Sequence, residues 1–256
     1  MEILDLAVLS AAALLTAVLS AIVGMAGGIT LLSVMLIYYD PLIAVPIHGA
    51  VQLVSNSSRS IIQRRHIRWS ITWRYGALLF PMGLLGLSLA QALPPPGARC
   101  LIGAFVLVAT WAPRLLLIGT HPERSDINRR FWLLGGIVGF VNITIGATGP
   151  LIAPFFLSLG LTRQALIGTK AVCQALGHLA KLAVFAIAGF AFIEFALPLL
   201  LLSVCVIAGT WIGSRLLEFV SEIWFVRLYR AVLTLIALRL FVWDGLVLLG
   251  LRVVYS

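Results

Sequence analysis

Acidic residues are scarce in this chain. Nine Asp and Glu stand against eighteen Lys and Arg in 256 residues, and charged residues of all kinds make up only 11% of the sequence. An ordinary water-soluble domain carries about a quarter. Cysteine is scarce too. Cys100, Cys173 and Cys205 are odd in number, scattered and set in apolar sequence, so they read as small buried hydrophobes. Neither a disulfide framework nor metal-ligand spacing is present, and no cofactor is expected. A Gly-x-Ser-x-Gly nucleophile turn is also missing, and no serine precedes His178 in a helical context that would pair them. These absences argue against an intramembrane hydrolase and against an enzyme generally. Met1-Glu2-Ile3-Leu4-Asp5 places acids where a cleavable leader would carry positive charge, so none is expected.

What remains is apolar. Hydrophobic residues make up 61% of the chain, and the mean hydropathy is +1.10. Several runs reach the roughly 20 residues that a helix needs to cross a hydrocarbon core of about 30 Å. This composition specifies an all-α polytopic membrane protein in contact with the lipid bilayer. The net charge of +9 falls mainly in short loops, where Arg sets orientation in the membrane; nucleic-acid binding is not implied.

Within the first apolar run stands Gly24-Met25-Ala26-Gly27-Gly28. Each glycine costs a helix interior about 1 kcal/mol relative to Ala, so two helical segments should meet at a break inside the membrane. Such breaks persist only where protein groups or a wet cavity satisfy the freed backbone. Gly146-Ala147-Thr148-Gly149-Pro150 repeats the arrangement. Two interrupted segments at matching places in two halves point to a transporter's binding site. A slide of 122 residues carries Gly24 onto Gly146 and Gly27 onto Gly149. It also pairs His48 with Lys170, Gln52 with Gln174, Asn56 with His178 and Arg59 with Lys181.

Around the breaks the expected helices are 41–63, 71–93 (closed by Pro94-Pro95-Pro96) and 98–118, then 161–188, 195–217 and 224–249 after the second interrupted segment, 131–159. Residues 1–119 and 131–256 form two transmembrane repeats, joined by a cytoplasmic linker at 120–130. Clusters of Arg at 59–74, 114–130 and 215–230, with Arg163, all favour the cytoplasm. They can all be there only if each interrupted segment starts and ends on one side, as a re-entrant hairpin. Three full crossings then follow each hairpin, and the halves are inverted repeats. Length agrees: residues 4–39 as one straight helix would span about 50 Å. A discontinuous, steeply tilted crossing with parallel repeats is the alternative. The hairpin arrangement leaves the N-terminus outside.

The helix after each break carries a polar stripe. His48, Gln52, Asn56 and Arg59 share one helical face, and Lys170, Gln174, His178 and Lys181 share the matching one. Ionisable residues inside membrane helices usually face the bundle interior or a wet cavity. Gln52 and Gln174 lie about 16 Å along their helices, near the midplane. Arg59 and Lys181 are close enough to helix ends to snorkel to the interface, and the amides are also suited to interhelical hydrogen bonding. The short helices after the breaks aim their first N–H groups and positive dipole ends inward, where anions bind. Pro150 suits such a first turn. With no acid on either stripe, the cavity is electropositive and its substrate a small anion. Thr30, Asn142, Thr144 and Thr148 are placed to add neutral donors. The substrate-binding set is therefore Gly24, Gly27, Gly28, His48, Gln52, Asn56, Asn142, Gly146, Thr148, Gly149, Pro150, Lys170, Gln174 and His178. Gly135-x-x-x-Gly139 and Gly209-x-x-x-Gly213 read as packing faces.

The early glycine-rich break, the short apolar helix before Pro41, the echo at Gly146–Pro150 and the eight-segment size resemble the sulfite exporter TauE/SafE family over nearly the whole chain. The resemblance implies export, across the bacterial inner membrane, of sulfite or small organosulfur anions such as sulfoacetate. Residue patterning alone leaves a passive anion channel, an importer of a related anion and a homodimeric assembly open.

Overall fold

A computed structural model describes residues 3–23, 27–117, 126–216 and 222–251. Among these residues the fold is helical throughout, without a strand. In chain order the helices are α1 (Ile3–Val23), α2 (Gly27–Tyr38), α3 (Pro41–Ile62), α4 (Trp69–Gly76), α5 (Leu79–Ala92) and α6 (Pro95–Trp111) in the first half. The second half holds α7 (Ile127–Thr144), α8 (Gly149–Leu157), α9 (Arg163–Ile187), α10 (Ala196–Leu216), α11 (Glu222–Leu238) and α12 (Asp244–Leu248), with a π turn, Arg239–Trp243, between the last two. Among the described residues, five segments are long and apolar enough to cross a membrane: Leu4–Ala21, Trp69–Ala92, Gln164–Ile187, Phe192–Gly213 and Arg230–Leu248. The protein is a polytopic helical membrane protein.

Proline and capping residues account for most boundaries. Pro41, Pro95 and Pro150 occupy the first turns of α3, α6 and α8, where the missing N–H costs nothing. Pro95 and Pro96 thus open a helix as well as following the previous one. Pro81 lies in the first turn of α5 and cannot donate back along a continuous helix, which explains the hitch at Ala77 and Leu78. The fourth segment stops at Trp111 rather than near residue 118, because Pro113 follows it. The second half begins at Ile127, earlier than expected, because the Asp126 carboxylate accepts from the Asn128 and Arg129 amides as an N-cap does. Residues 118–125, most of the anticipated linker, lie outside the described residues, as do Gly24, Met25 and Ala26.

Both interrupted segments double back. At the end of α2, the Tyr39 hydroxyl donates to Asp5 Oδ2 at 3.2 Å, so the segment finishes level with where it started. In the second half, the Phe156 ring at the end of α8 meets the Phe131 ring at the start of α7, centroids 5.1 Å apart. The two hairpins and their successors keep the same spacing: α2 and α8 begin at Gly27 and Gly149, α3 and α9 at Pro41 and Arg163. Each start differs from its counterpart by the same 122 residues as the stripe pairing.

The halves interlock reciprocally. α1 lies along α10, whose Gly209 and Gly213 face the Leu14 and Val18 carbonyls. α7, the counterpart of α1, lies along α4 and α5, with Gly135 and Gly139 against the Tyr75 and Leu79 carbonyls. A side chain at any of these four glycines would strike backbone, so both Gly-x-x-x-Gly runs are close-packing faces. α3 and α9 cross at the centre. Gly49 lies against Lys181 and Leu182, and Gln63 against Gly168, so these two counterpart helices run antiparallel.

At the end of the molecule where the first hairpin starts, Arg99 on α6 pairs with Asp40 and, at 3.6 Å, with buried Asp244, which Arg239 also approaches at 3.7 Å. Arg99→Gln is expected to lower stability in detergent by about 2 kcal/mol, the worth of a hydrogen bond to a charged group. Asp40→Asn should cost less than half of that, because Asp40 is half exposed and screened by solvent. Thermal melting of the two variants checks this order.

Candidate anion cavity

The two stripes and the two breaks meet. A small cavity of about 30 Å³ lies between α3 and α9, closed at its sides by residues around the two hairpin tips. From the first half it is lined by Ser20, Gly28, Ile29, His48, Gln52, Asn56 and Arg59; from the second by Ala147, Thr148, Gly149, Gln174 and His178. No acidic residue lines it among the described residues. Eight of the residues expected to bind substrate are therefore brought together: Gly28, His48, Gln52, Asn56, Thr148, Gly149, Gln174 and His178.

Local folding sets each of them. His48 and His178 come from facing positions on the crossed helices, their rings edge to face with centroids 5.9 Å apart. His48 Nε2–H donates to the Gly28 carbonyl at 2.8 Å, satisfying a backbone group left over by the break. Its Nδ1, and that of His178, are buried without a hydrogen-bond partner among the described residues. Asn56 donates to the Gln52 backbone carbonyl at 2.9 Å, which fixes its side chain against its own helix. Thr148, the N-cap of α8, makes no capping hydrogen bond, so the positive end of that nine-residue helix faces the cavity without a side-chain acceptor. Gly28 permits close approach: a Cβ there would come 3.3–3.5 Å from the Gln52 carboxamide.

Other expected site residues are placed elsewhere. Gly24 lies outside the described residues. Gly27 packs beneath the Thr16 carbonyl and Ser20 Cβ, where α2 passes α1. The Gly146 carbonyl accepts from Lys181 Nζ at 2.6 Å, and Gly146 itself has φ +87°, a conformation glycine adopts without strain. Pro150 forms the first turn of α8 without lining the cavity. Lys170 is buried, 8% exposed, but is not part of the lining. Asn142 Nδ2 donates to the Gly177 carbonyl at 3.0 Å, tying α7 to α9. Asn142→Ala is expected to cost about 0.6 kcal/mol, a usual worth for an interhelical hydrogen bond in a membrane. It should leave the half-saturating substrate concentration unchanged in flux assays.

One expectation is corrected. Lys181 does not snorkel; it is 0% exposed and held by the second break. Arg59 is partly exposed. It lines the cavity, its Nη2 donating to Ser55 Oγ at 2.7 Å and Ser20 Oγ at 3.4 Å. The signal was present in the sequence, since both continue the stripes three residues past Asn56 and His178 and pair with each other under the 122-residue slide. Ser20 and Ala147 had no signal beyond their nearness to a break.

Residues 9–240 match the sulfite exporter TauE/SafE family. The chain belongs to that family. Comparison with curated proteins and with solved structures returns no match. The TauE/SafE match covers both breaks, both stripes and every residue lining the cavity, and the family is one of membrane transporters.

Proposed function

We propose that this chain is a secondary carrier that exports a small sulfur oxyanion, sulfite or a compact sulfonate, across the bacterial inner membrane by alternating access. The observation that carries the reading is the shared cavity. Both breaks and both stripes contribute to it, its charged and basic side chains are Arg59, His48 and His178, and no acid lines it among the described residues. A buried anion needs hydrogen-bond donors and positive charge in place of its hydration shell. The Gln52, Gln174 and Asn56 amides, the Arg59 guanidinium, one N–H of His178 and the α8 N-terminus supply them. Lys170 and Lys181, buried close by on α9, add to the positive field.

Inverted repeats supply the alternation. The support is twofold: both interrupted segments return to the level at which they start, and the counterpart helices α3 and α9 run antiparallel. Rocking of one repeat against the other then exposes a fixed midplane site to each side in turn. The Arg-rich loop after α3 marks the cytoplasmic face.

Purified protein in proteoliposomes tests this. Radiolabelled sulfite flux is expected to saturate, to show counterflow and to respond to an imposed pH gradient. Flux that rises linearly with sulfite and shows no counterflow would contradict a carrier and support a channel.

A further inference from the structure

The cavity is not symmetric, although the elements that build it are. Arg59 and Lys181 are counterparts under the 122-residue slide, each 18 residues past the first residue of its helix. Because α3 and α9 run antiparallel, these two cations sit toward opposite ends of the central crossing. Arg59 lines the cavity, with Nε buried and lacking a hydrogen-bond partner among the described residues. Lys181 does not line it. Its ammonium is spent on the Gly146 carbonyl, at the tip of the second hairpin. One end of the path therefore presents a charge to the cavity, and the other has its charge withdrawn onto backbone.

We propose that Arg59 and Lys181 receive the anion in turn, Arg59 at the cytoplasmic end of the path and Lys181 at the outer end. This rests on the inverted-repeat carrier reading. In the present conformation the anion meets Arg59, whose guanidinium is steadied by Ser55 on its own helix and Ser20 on α1. With Nη2 engaged by the two serines, the Nη1 and Nε N–H groups remain to donate to oxyanion oxygens. When the repeats rock, the second hairpin tip moves away from α9. Lys181 then gives up the Gly146 carbonyl and faces the cavity, while Arg59 turns from it. Among the described residues neither cation has an acid paired with it, so an anion is the partner that each can take.

The test is the sidedness of two variants. Radiolabelled sulfite exchange is measured from each face, in right-side-out and inside-out vesicles from cells expressing the full chain. Arg59→Gln is expected to raise the half-saturating sulfite concentration at the cytoplasmic face by about tenfold to a hundredfold, the loss of a charged hydrogen bond. The outer face should change by less than about threefold by the same scale. Lys181→Gln, which keeps a donor for the Gly146 carbonyl, should do the reverse. Arg59→Gln decides alone if Lys181→Gln does not fold. Equal shifts at both faces, or none at either, overturn the assignment. Gln174→Leu, measured in parallel, separates the two ideas: its inactivity with no sidedness in Arg59→Gln defeats this assignment alone, whereas normal flux through Gln174→Leu defeats the cavity reading with it.

Discussion

Gln174→Leu is expected to reduce sulfite flux by at least about tenfold and up to about 150-fold, the equivalent of one hydrogen bond to a charged group, while the protein still folds. Gln174 lies on α9 and lines the cavity opposite the first-half stripe. Leu has nearly the same volume, so helix packing is kept. What disappears is an amide facing a desolvated anion, and its apolar replacement cannot share the charge. Melting temperature and gel-filtration profile should match those of the parent. A variant that transports normally would remove Gln174 from the path.

Gly27→Ala and Gly28→Ala should separate architecture from chemistry at adjacent positions. At Gly27 the new methyl would strike the Thr16 carbonyl and approach Ser20 Cβ to 2.7 Å. Backbone cannot swing aside, so α2 must move off α1. The expected cost is about 3 kcal/mol, at the upper end for overpacking, read as a lower melting temperature and poor recovery from detergent. At Gly28 the nearest atoms belong to the Gln52 carboxamide, at 3.3–3.5 Å. A side chain can turn, so stability should change by less than about 1 kcal/mol. Gln52 would be displaced from the cavity, and the half-saturating sulfite concentration should rise severalfold. The same substitution in neighbouring residues thus gives an unstable protein in one case and a weak binder in the other.

Much of this was legible in the sequence for a simple reason. In a chain this apolar, glycines and polar side chains stand out, and the bilayer penalises them unless they have a place to go. The breaks at Gly27–Gly28 and Gly146–Pro150, and the stripes from His48 and Lys170, could be read on those grounds. The hairpins followed from loop arginines and from the length of residues 4–39. Partner choice could not be read. Asn142 and Gln174 are both amides in apolar helices, yet one bonds the Gly177 carbonyl while the other faces the cavity. Gly27 and Gly28 differ only in which neighbour α2 turns each toward. Lys181 has a stem long enough to reach the interface, yet its ammonium bonds the Gly146 carbonyl, 35 residues away in the chain. Contacts of that kind have no period to reveal them.

Binding of sulfite to the purified protein is the most direct measurement of the central claim, that both halves build one anion site. Calorimetric titration is expected to show one sulfite per chain. Gln52→Leu in the first half should weaken the binding as much as Gln174→Leu does in the second, by about tenfold to 150-fold. Full affinity retained by either variant, or two independent sites of which each variant removes one, would contradict a single cavity shared by the repeats.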